Sequence, residues 1–492
     1  SPPDAHQHEP LQSGCGGNRS AAVTILHTIE AADLLTPVSA FIRLSRISTD
    51  PYRLLFESVE GGAARGRYSV IALLPDVVWK CRDGKATRDG VAVPGKPLES
   101  LKTLVDESQM DLPEGMPPMI GGVFGVLGYD MVRQMERLPV GPVNDLALPE
   151  GVMIRPRLFA VFDSVRDELT LAVPVRGSMG EEEARTLLKQ AREALAAPLG
   201  NVTETLPAGS ELTPPESNMP HEQFLANVRT AQDYIAAGDA FQIVPSQRFK
   251  TEFPLSPLAL YRSLRRINPA PFLFLMELED YALVGSSPEI LVRLRQGEVT
   301  VRPLAGTRPR GKDVAQDLAL EKELLADQKE LAEHLMLIDL GRNDVGRVAK
   351  LGSVKVPEQF MVERYSHVMH ISSTVTGEIR PECGAMDALV AAFPAGTLTG
   401  APKIRAMEII DELEPTRRGP YSGCVGYFGA DGEMDTCIGL RMAVVKDGTM
   451  YVQAGCGVVA DSNPEAEYQE TRAKARALFR AAEAAVSAAA RG

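Results

Sequence analysis

Two pairs of glutamates, each pair spaced three residues apart on a segment with a helical pattern, are the first residues that could do chemistry. They are Glu330 and Glu333 in QKELAEHLMLIDLGRND (328–344), and Glu467 and Glu470 in NPEAEYQETRAKAR (463–476). In the first segment, helical spacing places both acids within the apolar arc. A buried carboxylate without a partner is destabilising by several kcal/mol, whereas a solvated one belongs on the opposite face. The repeated pattern therefore predicts that the four carboxylates share a cation.

An all-oxygen ligand set predicts Mg²⁺, which binds one or two carboxylates, keeps several waters and takes further ligands from an anionic substrate. Calcium is disfavoured because the sequence contains no D-x-[DN]-x-[DN]-G loop. Zinc is disfavoured because His367 and His370, although three residues apart, have no accompanying cysteine or acidic zinc motif. Two alternatives stay open at this point. The acids could form ion pairs with Arg or Lys, and the helix macrodipole by itself favours glutamate in a first turn.

Glycine-rich loops and one arginine add groups that could bind an anion. In FPAGTLTGAPKIRAMEII (393–410), the glycines permit close approach of a ligand, and the proline before KIRAM begins a helix whose first N–H groups could face an anion. A tight turn before a core helix explains this segment equally well. Gly455 and Gly457 in QAGCGVV are further backbone donors, and Arg441 is a charge in the apolar strand GLRMAVV. Together these groups predict a small di- or tricarboxylate as the ligand.

The composition limits the class of protein. The chain has 492 residues, of which 44% are hydrophobic and 24% charged, as expected for a globular protein with two or more domains or one large domain. Its net charge of −13 disfavours nonspecific binding to nucleic acid or anionic membranes. No apolar run approaches the roughly 20 residues that span a bilayer, and residues 1–20 lack the apolar region of a signal peptide. The six cysteines show no C-x-x-C spacing, which indicates free thiols. We therefore expect a cytoplasmic protein.

Four regions are predicted along the chain. Residues 1–21 are polar and contain Pro and Gly, which indicates a disordered leader. Residues 22–196 contain short alternating strands and one charged helix, and form an N-terminal α+β region. Residues 197–220 are rich in Pro, Ser and Thr and form a linker. Residues 221–490 combine helices with strands joined by the short turns typical of antiparallel hairpins. We therefore predict an α+β fold with extensive antiparallel sheet and helices packed outside. In the last region, helical patterns occur at 221–237, 256–266, 314–340, 384–392, 403–413 and 464–490.

Six motifs, in order, closely resemble the chorismate-utilising enzymes, in particular the large components of anthranilate synthases. They are PLAGTRPRG (303–311), DLGRNDVGRV (339–348), GTLTGAPK (396–403), RRGPYSGCVGYF (417–428), DTCIGLRMA (435–443) and QAGCGVVADSNPEAEYQET (453–471). The resemblance covers roughly residues 30–485. It implies that large antiparallel β-sheets pack as a sandwich with the helices outside. It also implies that Mg²⁺ bridges the acidic helices and the ring carboxylate of chorismate. The four glutamates would be its ligands, directly or through water.

The same resemblance implies roles for individual residues. The substrate carboxylates would be bound by Tyr421, Arg441, Gly455, Gly457 and Lys474, with Arg441 forming a bidentate fork and the glycines using backbone N–H groups. Thr397 would touch the substrate beside them. Glu289, in SSPEIL, matches the general acid that protonates the departing 4-hydroxyl while a nucleophile adds at C2, so burial should raise its pKa. His370 matches the histidine linked to the later elimination of pyruvate, although a hydrogen-bonded core histidine would fit the same strand.

Two positions separate the members of this family by their chemistry. Isochorismate and salicylate synthases carry a lysine that activates water where Gln242 stands here; an amide cannot act as a base, and ammonia scarcely needs one. Aminodeoxychorismate synthases carry a nucleophilic lysine where Ala305 stands, and a methyl group forms no covalent adduct. The resemblance therefore implies ammonia as nucleophile, 2-amino-2-deoxyisochorismate as intermediate, and anthranilate and pyruvate as products, the first step of tryptophan biosynthesis. An aminodeoxychorismate synthase or a 2-amino-2-deoxyisochorismate synthase is the alternative.

The resemblance also implies two partners. The sequence contains no Cys-His-Glu amidotransferase region, so a separate glutaminase subunit would supply ammonia, and the chain alone would use only free ammonia. LLFES (54–58) and NPAPFLF (268–274) resemble the two halves of a feedback site for L-tryptophan. The residues lining it would be Glu57, Ser58, Asn268, Pro271, Phe272 and Leu273. The family more often has NPSPYMF, so Phe272 and Leu273 leave the sensitivity of the feedback open, and a turn before a buried strand would explain the segment without a ligand. A non-catalytic tryptophan-binding protein is the rival of a different class.

Overall fold

The computed structural model describes residues 24–57, 67–365 and 367–492, so the predicted leader 1–21 and Ser58 lie outside the described residues. The helices are α1 (Pro37–Ser45), α2 (Pro97–Glu107), α3 (Glu181–Ala196), α4 (His221–Ala236), α5 (Pro257–Ile267), α6 (Val314–Ala326), α7 (Gln328–Gly346), α8 (Ala385–Ala392), α9 (Lys403–Leu413) and α10 (Pro464–Arg491). Two short 3₁₀ turns lie at Tyr129–Gln134 and Gly396–Leu398.

The strands of the N-terminal part are β1 (Thr24–Ala31), β2 (Tyr52–Glu57), β3 (Tyr68–Arg82), β4 (Lys85–Arg88), β5 (Val91–Val93), β6 (Val123–Leu127), β7 (Gly151–Asp163), β8 (Glu168–Val175) and β9 (Glu216–Ser217). Those that follow are β10 (Gln242–Ile243), β11 (Ser246–Glu252), β12 (Phe272–Leu278), β13 (Ala282–Ser287), β14 (Ile290–Arg295), β15 (Glu298–Val301), β16 (Leu304–Pro309), β17 (Lys355–Arg364), β18 (Val368–Glu378), β19 (Gly400–Ala401), β20 (Cys424–Phe428), β21 (Met434–Ile438), β22 (Met442–Lys446) and β23 (Thr449–Gly455).

The strands form one continuous antiparallel network, apart from the separate β10–β19 pair. Its longest ladder joins β3 to β7. Strands from both sides of the predicted linker pair directly, β2 with β12 and β6 with β20. The division into 22–196 and 221–490 therefore stays a prediction, since the two stretches share hydrogen-bonded sheet.

Alternate residues of the strands face two different apolar layers. Leu54 and Val70 face a layer that, among the described residues, is built from strands and loops without any helix. Leu55 and Ile71 face the opposite layer, which α1, α3, α5 and α10 cover. Burying apolar side chains on both faces of the sheets stabilises this arrangement. The predicted α+β class, with antiparallel sheets packed as a sandwich and helices outside, is confirmed.

The helical pattern 314–340 is not one helix, and this prediction was wrong. The helix is interrupted at Asp327, whose carboxylate accepts hydrogen bonds from the N–H groups of Lys329 and Glu330 at 3.1 and 3.2 Å. An aspartate that caps two free N–H groups begins a new helix more favourably than it continues an old one. As a result, α6 ends and α7 begins there, and Glu330 stands in the first turn of α7.

The last helix begins as predicted. The side chain of Asn463 accepts a hydrogen bond from the N–H of Ala466 at 2.9 Å, and Pro464 occupies the first turn. The buried face of α10 packs on β23 and α5, so its first turns lie beside the end of β23. In the described parts of the chain the five cysteines are free thiols, and no helix is long and apolar enough to cross a membrane.

Candidate active site

One cavity of about 330 Å³ is lined by all thirteen residues predicted for catalysis, substrate binding and metal binding. They are Gln242, Glu289, Glu330, Glu333, His370, Thr397, Tyr421, Arg441, Gly455, Gly457, Glu467, Glu470 and Lys474. Helices α7 and α10 supply the acids, and β10, β18, β23 and the loops after β13, α8, α9 and β21 supply the other groups. Residues scattered over more than 230 positions therefore form one concave site.

Burial, together with neighbouring carboxylates, raises the pKa values of three of the four glutamates. Burial raises the pKa of Glu330 and of Glu333, and the acids beside them raise it further. Burial and the adjacent Glu470 raise the pKa of Glu467 to about 7. Such repulsion means that the carboxylates concentrate negative charge at one wall of the cavity.

Ion pairs compensate little of this charge. In the described part of the chain only Glu470 of the four forms an ion pair, with Lys474 at 3.4 Å. One carboxylate oxygen of Glu467 is buried without a hydrogen-bond partner there. The described side chains do not form a ready cluster of three or more metal ligands. An all-oxygen set with excess negative charge and a buried unpaired oxygen nevertheless fits a hard divalent cation.

Glu289 is a buried acid in the lining of the same cavity. Its residue is 6% exposed, and burial raises the pKa of its carboxyl to about 8. The Thr397 hydroxyl donates to Oε2 at 3.0 Å, which moderates the rise. A carboxyl with this pKa is mostly protonated at neutral pH and can donate a proton, as expected of a general acid.

His370 is a neutral histidine with one free nitrogen. Its Nδ1 donates a hydrogen bond to the carbonyl of Gly306 at 2.9 Å, which assigns the proton to that nitrogen. Burial, with Arg441 nearby, lowers the pKa of His370 to about 4. Nε2 is buried and has no partner in the described chain. The ring can therefore accept a proton in the cavity at neutral pH.

Arg441 and Tyr421 supply donors for an anion. The sequence predicts that Arg441 lies in a strand, and this prediction was wrong. Arg441 precedes β22 and has a left-handed conformation with φ of 48°. A non-glycine residue there is strained, a feature that clusters at functional sites. The guanidinium forms no ion pair or hydrogen bond with the described chain, and burial lowers its pKa. The buried Tyr421 hydroxyl is also without a partner there.

Two glycines leave space that a side chain would fill. A Cβ at Gly455 would lie 2.8 Å from the Tyr421 hydroxyl oxygen, and one at Gly457 would lie 2.5 Å from the amide nitrogen of Gln242. The carbonyl of Gly455 accepts a hydrogen bond from Lys474 at 2.9 Å. The absence of side chains at these positions keeps the cavity open beside its donors.

Gln242 is a polar, uncharged residue that contacts the acidic residues of the site. Its amide nitrogen donates to Oε1 of Glu333 at 3.0 Å, so the amide is held against the acidic wall. The short pairing of β10 with β19 positions it, because Gln242 stands opposite Ala401. The side chain at this position therefore forms hydrogen bonds but cannot act as a base.

Three of the six residues predicted to bind tryptophan line a different cavity. Pairing of β2 with β12 places Glu57 opposite Leu273, so the two predicted segments lie side by side. Glu57, Phe272 and Leu273 line a cavity of about 650 Å³, whereas Asn268 and Pro271 are not among its described lining residues. The Glu57 carboxylate is buried, accepting hydrogen bonds from Arg265 at 2.8 Å and from the Tyr261 hydroxyl.

Sequence reasoning did not single out three residues that also line the main cavity. They are Thr307, whose hydroxyl lies 3.3 Å from Nδ1 of His370, Gln453 and Lys329. The first two belong to motifs that were noticed for different residues, and Lys329 precedes Glu330. The sequence feature that could have identified them is that each is a polar residue within one of the quoted segments. His367 lies apart, with Nε2 donating to the carbonyl of Ile267 at 2.7 Å.

The sequence is similar to that of known chorismate-binding enzymes over most of its length. Residues 33–480 match the family model described as chorismate binding enzyme. Anthranilate synthase component 1 of Cereibacter sphaeroides is 52% identical over 474 residues, which cover 93% of this chain and 94% of that protein. The protein of the same name from Acinetobacter calcoaceticus is 48% identical over 92% of this chain and 93% of its own length.

Solved structures share the architecture. Anthranilate synthase component I from Streptococcus pneumoniae superposes with a TM-score of 0.77 and 36% identity, covering 92% of this chain and 98% of that one. The menaquinone-specific isochorismate synthase MenF from Escherichia coli has a TM-score of 0.71 and 20% identity, covering 94% of this chain and 95% of that one. At that identity, the second match indicates the common fold alone.

Proposed function

Because the chain belongs to the family of chorismate-binding enzymes, we propose that it is the large component of an anthranilate synthase. It aminates chorismate with ammonia and eliminates pyruvate to give anthranilate, the first step of tryptophan biosynthesis. One observation carries this function. A single cavity combines a buried acid that is mostly protonated at neutral pH, a neutral histidine and four carboxylates with a guanidinium that has no partner in the described chain.

The cavity's donors would bind and orient the substrate's carboxylates. Arg441 is suited to a bidentate pair because its guanidinium is charged and unpartnered in the described chain. The Tyr421 hydroxyl, buried without a partner, would donate a further hydrogen bond. Satisfying these two buried donors favours binding, because leaving them unpaired is destabilising.

Glu289 would act in the first half of the reaction. Its carboxyl donates a proton to the 4-hydroxyl, which leaves as water while ammonia adds at C2. The added nitrogen loses one proton, so chorismate and ammonia become 2-amino-2-deoxyisochorismate and water. The Thr397 hydroxyl stabilises the carboxylate that remains, through its 3.0 Å hydrogen bond.

His370 would act in the second half. The ring is neutral and its Nε2 free, so it can take up a proton as the intermediate loses pyruvate and becomes aromatic. The hydrogen bond from Nδ1 to the Gly306 carbonyl fixes the ring orientation and would stabilise the imidazolium that forms.

We assign a Mg²⁺ site to Glu330, Glu333, Glu467 and Glu470. When bound, the cation would supply positive charge that offsets the carboxylates' repulsion and binds a substrate carboxylate. The support comes from the oxygen donors, the raised pKa values and the unpaired oxygen of Glu467. Gln242 supports ammonia as the nucleophile, because it provides no base to activate water.

Two further parts of the proposal concern partners. A glutaminase subunit would supply ammonia, which agrees with the relatives' designation as component 1. L-Tryptophan would bind near Glu57, Phe272 and Leu273 and inhibit the enzyme. The support is that strand pairing brings these residues to one cavity.

The test is a product assay on the full chain with chorismate, MgCl₂ and ammonium chloride. We expect fluorescent anthranilate and an equal amount of pyruvate, measured with lactate dehydrogenase and NADH. Glutamine in place of ammonium should give neither product. A non-aromatic amino acid formed without pyruvate, or a 4-amino product, would replace this function by one of the alternative synthases.

A further inference from the structure

A second, smaller cavity of about 40 Å³ lies behind Glu289. Glu289, Thr397 and Leu337 line both this cavity and the main one, so these three residues stand between them. The other polar groups of the small cavity are Asp344 and Arg302, and the remaining lining is mostly apolar. None of the roles assigned above uses either residue.

Two polar atoms of this lining are buried without a hydrogen-bond partner in the described chain. They are Oδ1 of Asp344 and Nε of Arg302. Both residues are 6% exposed. A buried polar atom without a partner is destabilising, so an acceptor and a donor on residues that line one cavity favour a small hydrogen-bonding ligand.

The volume selects water as that ligand. A single water requires about 10–15 Å³ of such space, so 40 Å³ accommodates one or two molecules and nothing as large as a metabolite. Asp344 and Glu289 both line this cavity, so water bound in it lies between the two carboxyl groups. Asp344 and Glu289 can therefore be joined by hydrogen bonds through water.

Asp344 is itself part of a buried ion pair. Its Oδ2 accepts a hydrogen bond from Nζ of Lys403 at 3.0 Å, and Lys403 also donates to the carbonyl of Ala392 at 3.2 Å. Both residues belong to motifs noted in the sequence, DLGRNDVGRV and GTLTGAPK. Buried pairs are often no more stable than apolar replacements, so their presence beside a catalytic acid invites a functional explanation.

We propose that the small cavity binds water and connects the Asp344–Lys403 pair to Glu289 as a proton relay that reloads the general acid. This inference rests on the proposed function, in which Glu289 gives up one proton for each chorismate aminated. After the 4-hydroxyl has left as water, Glu289 is an ionised carboxylate. A proton then passes from the Lys403 ammonium through Asp344 and the bound water to Glu289. The pair regains one proton from solvent before the next turnover.

The electrostatics of the groups agree with this direction of transfer. Burial lowers the pKa of Lys403 despite its partner, while burial raises that of Glu289 to about 8. Bringing the two pKa values closer reduces the free energy needed to move the proton. The charged groups that act on Asp344 are Lys403 and Arg347, so a negative charge on it is also partly compensated, whereas Arg302 is ion-paired with Glu363.

The experiment compares the first turnover with the steady state, since Glu289 begins protonated and needs the relay only afterwards. Total amination product, intermediate plus anthranilate, is measured by rapid quench at pH 7 with ammonium and saturating chorismate. In Asp344→Asn we expect the ratio of steady-state to first-turnover rate to fall about tenfold. Asp339→Asn, an exposed carboxylate on the same helix, is the matched control and should leave the ratio unchanged.

A second variant tests the water without disturbing the ion pair. Gly341 lines the small cavity, and a Cβ there would lie 3.2 Å from a methyl group of Val301 and 3.4 Å from one of Val375. Gly341→Ala should narrow the cavity, favour the helix and lower the ratio as well. Gly346→Ala, on the same helix with no atom within 4 Å of its Cβ, is the control.

The outcomes separate the relay from its alternatives. An unchanged ratio in both Gly341→Ala and Asp344→Asn refutes the relay. Equal loss of both rates assigns the residues a purely structural role and also overturns it. If the unmodified chain makes no amination product even in the first turnover, the proposed function fails, which is a different result from either.

Discussion

Replacing Glu289 with glutamine should remove most of the activity and at the same time stabilise the folded protein. Both effects follow from the burial of this carboxyl, which raises its pKa from 4.5 to about 8. Glutamine keeps the shape and can accept the Thr397 hydrogen bond, but it has no proton to give. Loss of a positioned general acid lowers kcat by about 10²–10⁴-fold.

The pH dependence of the unmodified enzyme should report the same group. A carboxyl with a pKa of about 8 is mostly protonated at pH 7 and loses its proton above pH 8. We therefore expect amination to decline at alkaline pH with an apparent pKa near 8. The residual activity of Glu289→Gln should lack that decline.

Glu289→Gln should change stability in the opposite direction to activity: the variant should be more stable than the unmodified protein. The folded state prefers protonated Glu289, so stability that is present below pH 4.5 is lost as pH rises towards 8. Each pH unit in this range corresponds to about 1.4 kcal/mol, which amounts to about 3 kcal/mol at pH 7. Glutamine is neutral and avoids this loss. For a chain of this size the variant's Tm should exceed that of the unmodified protein by about 3 °C at pH 7.

The assays are the ammonia-dependent product assay and thermal unfolding at pH 5, 7 and 8. Glu150→Gln is a matched control, because burial also raises the pKa of Glu150, which lies outside the catalytic cavity and accepts a hydrogen bond from the N–H of Asp83 at 3.0 Å. It should keep its activity. The role assigned to Glu289 is contradicted if Glu289→Gln retains more than about a tenth of kcat, or if the Tm advantage of this variant does not grow between pH 5 and 8.

The remaining predictions concern the other groups. Glu470→Ala should raise the Mg²⁺ concentration for half-maximal activity about tenfold or more, and EDTA should abolish the activity of the unmodified chain reversibly; unchanged Mg²⁺ dependence contradicts the assigned site. Gly457→Ala places a Cβ 2.5 Å from a buried amide and 3.3 Å from a carboxylate oxygen, so chorismate turnover should fall strongly, whereas Gly180→Ala, with open space around its Cβ, should be neutral in the same assay. His370→Asn should release the amino intermediate without pyruvate, detected by chromatography; normal anthranilate yield would remove the histidine from the elimination. Glu57→Gln weakens a buried carboxylate's bonds to two donors and should raise the tryptophan concentration for half inhibition about tenfold with basal kcat unchanged, as inhibition curves would test.

Much of the local structure could be predicted because its causes are local. Asn463 and Pro464 mark the start of α10 through a cap and a fixed φ, and both act within one helical turn. The break at Asp327 also has a local cause, but the apolar pattern continues across it. Because the helical spacing of apolar residues does not stop at Asp327, it predicts one helix and gives no sign of the N-cap.

The residues of the candidate site and the raised pKa expected of Glu289 could be predicted from motifs, whereas the contacts that set the protonation states could not. Glu289 is a weak acid only because sheets and loops from distant segments exclude water from it. His370 is neutral for the same reason. Solvation is a property of the closed fold, and sequence spacing contains no direct measure of it.

The α+β class, most helix boundaries and the family could be predicted from the amino-acid sequence, because periodicity, caps and long motifs are carried by neighbouring residues. The tertiary structure was needed to show that thirteen separated residues line one cavity and that Arg441 adopts a left-handed conformation. It also shows that Asp344, in its ion pair with Lys403, lines the small cavity together with Glu289. These features depend on contacts between segments far apart in the chain, where burial and neighbouring charges set the energies.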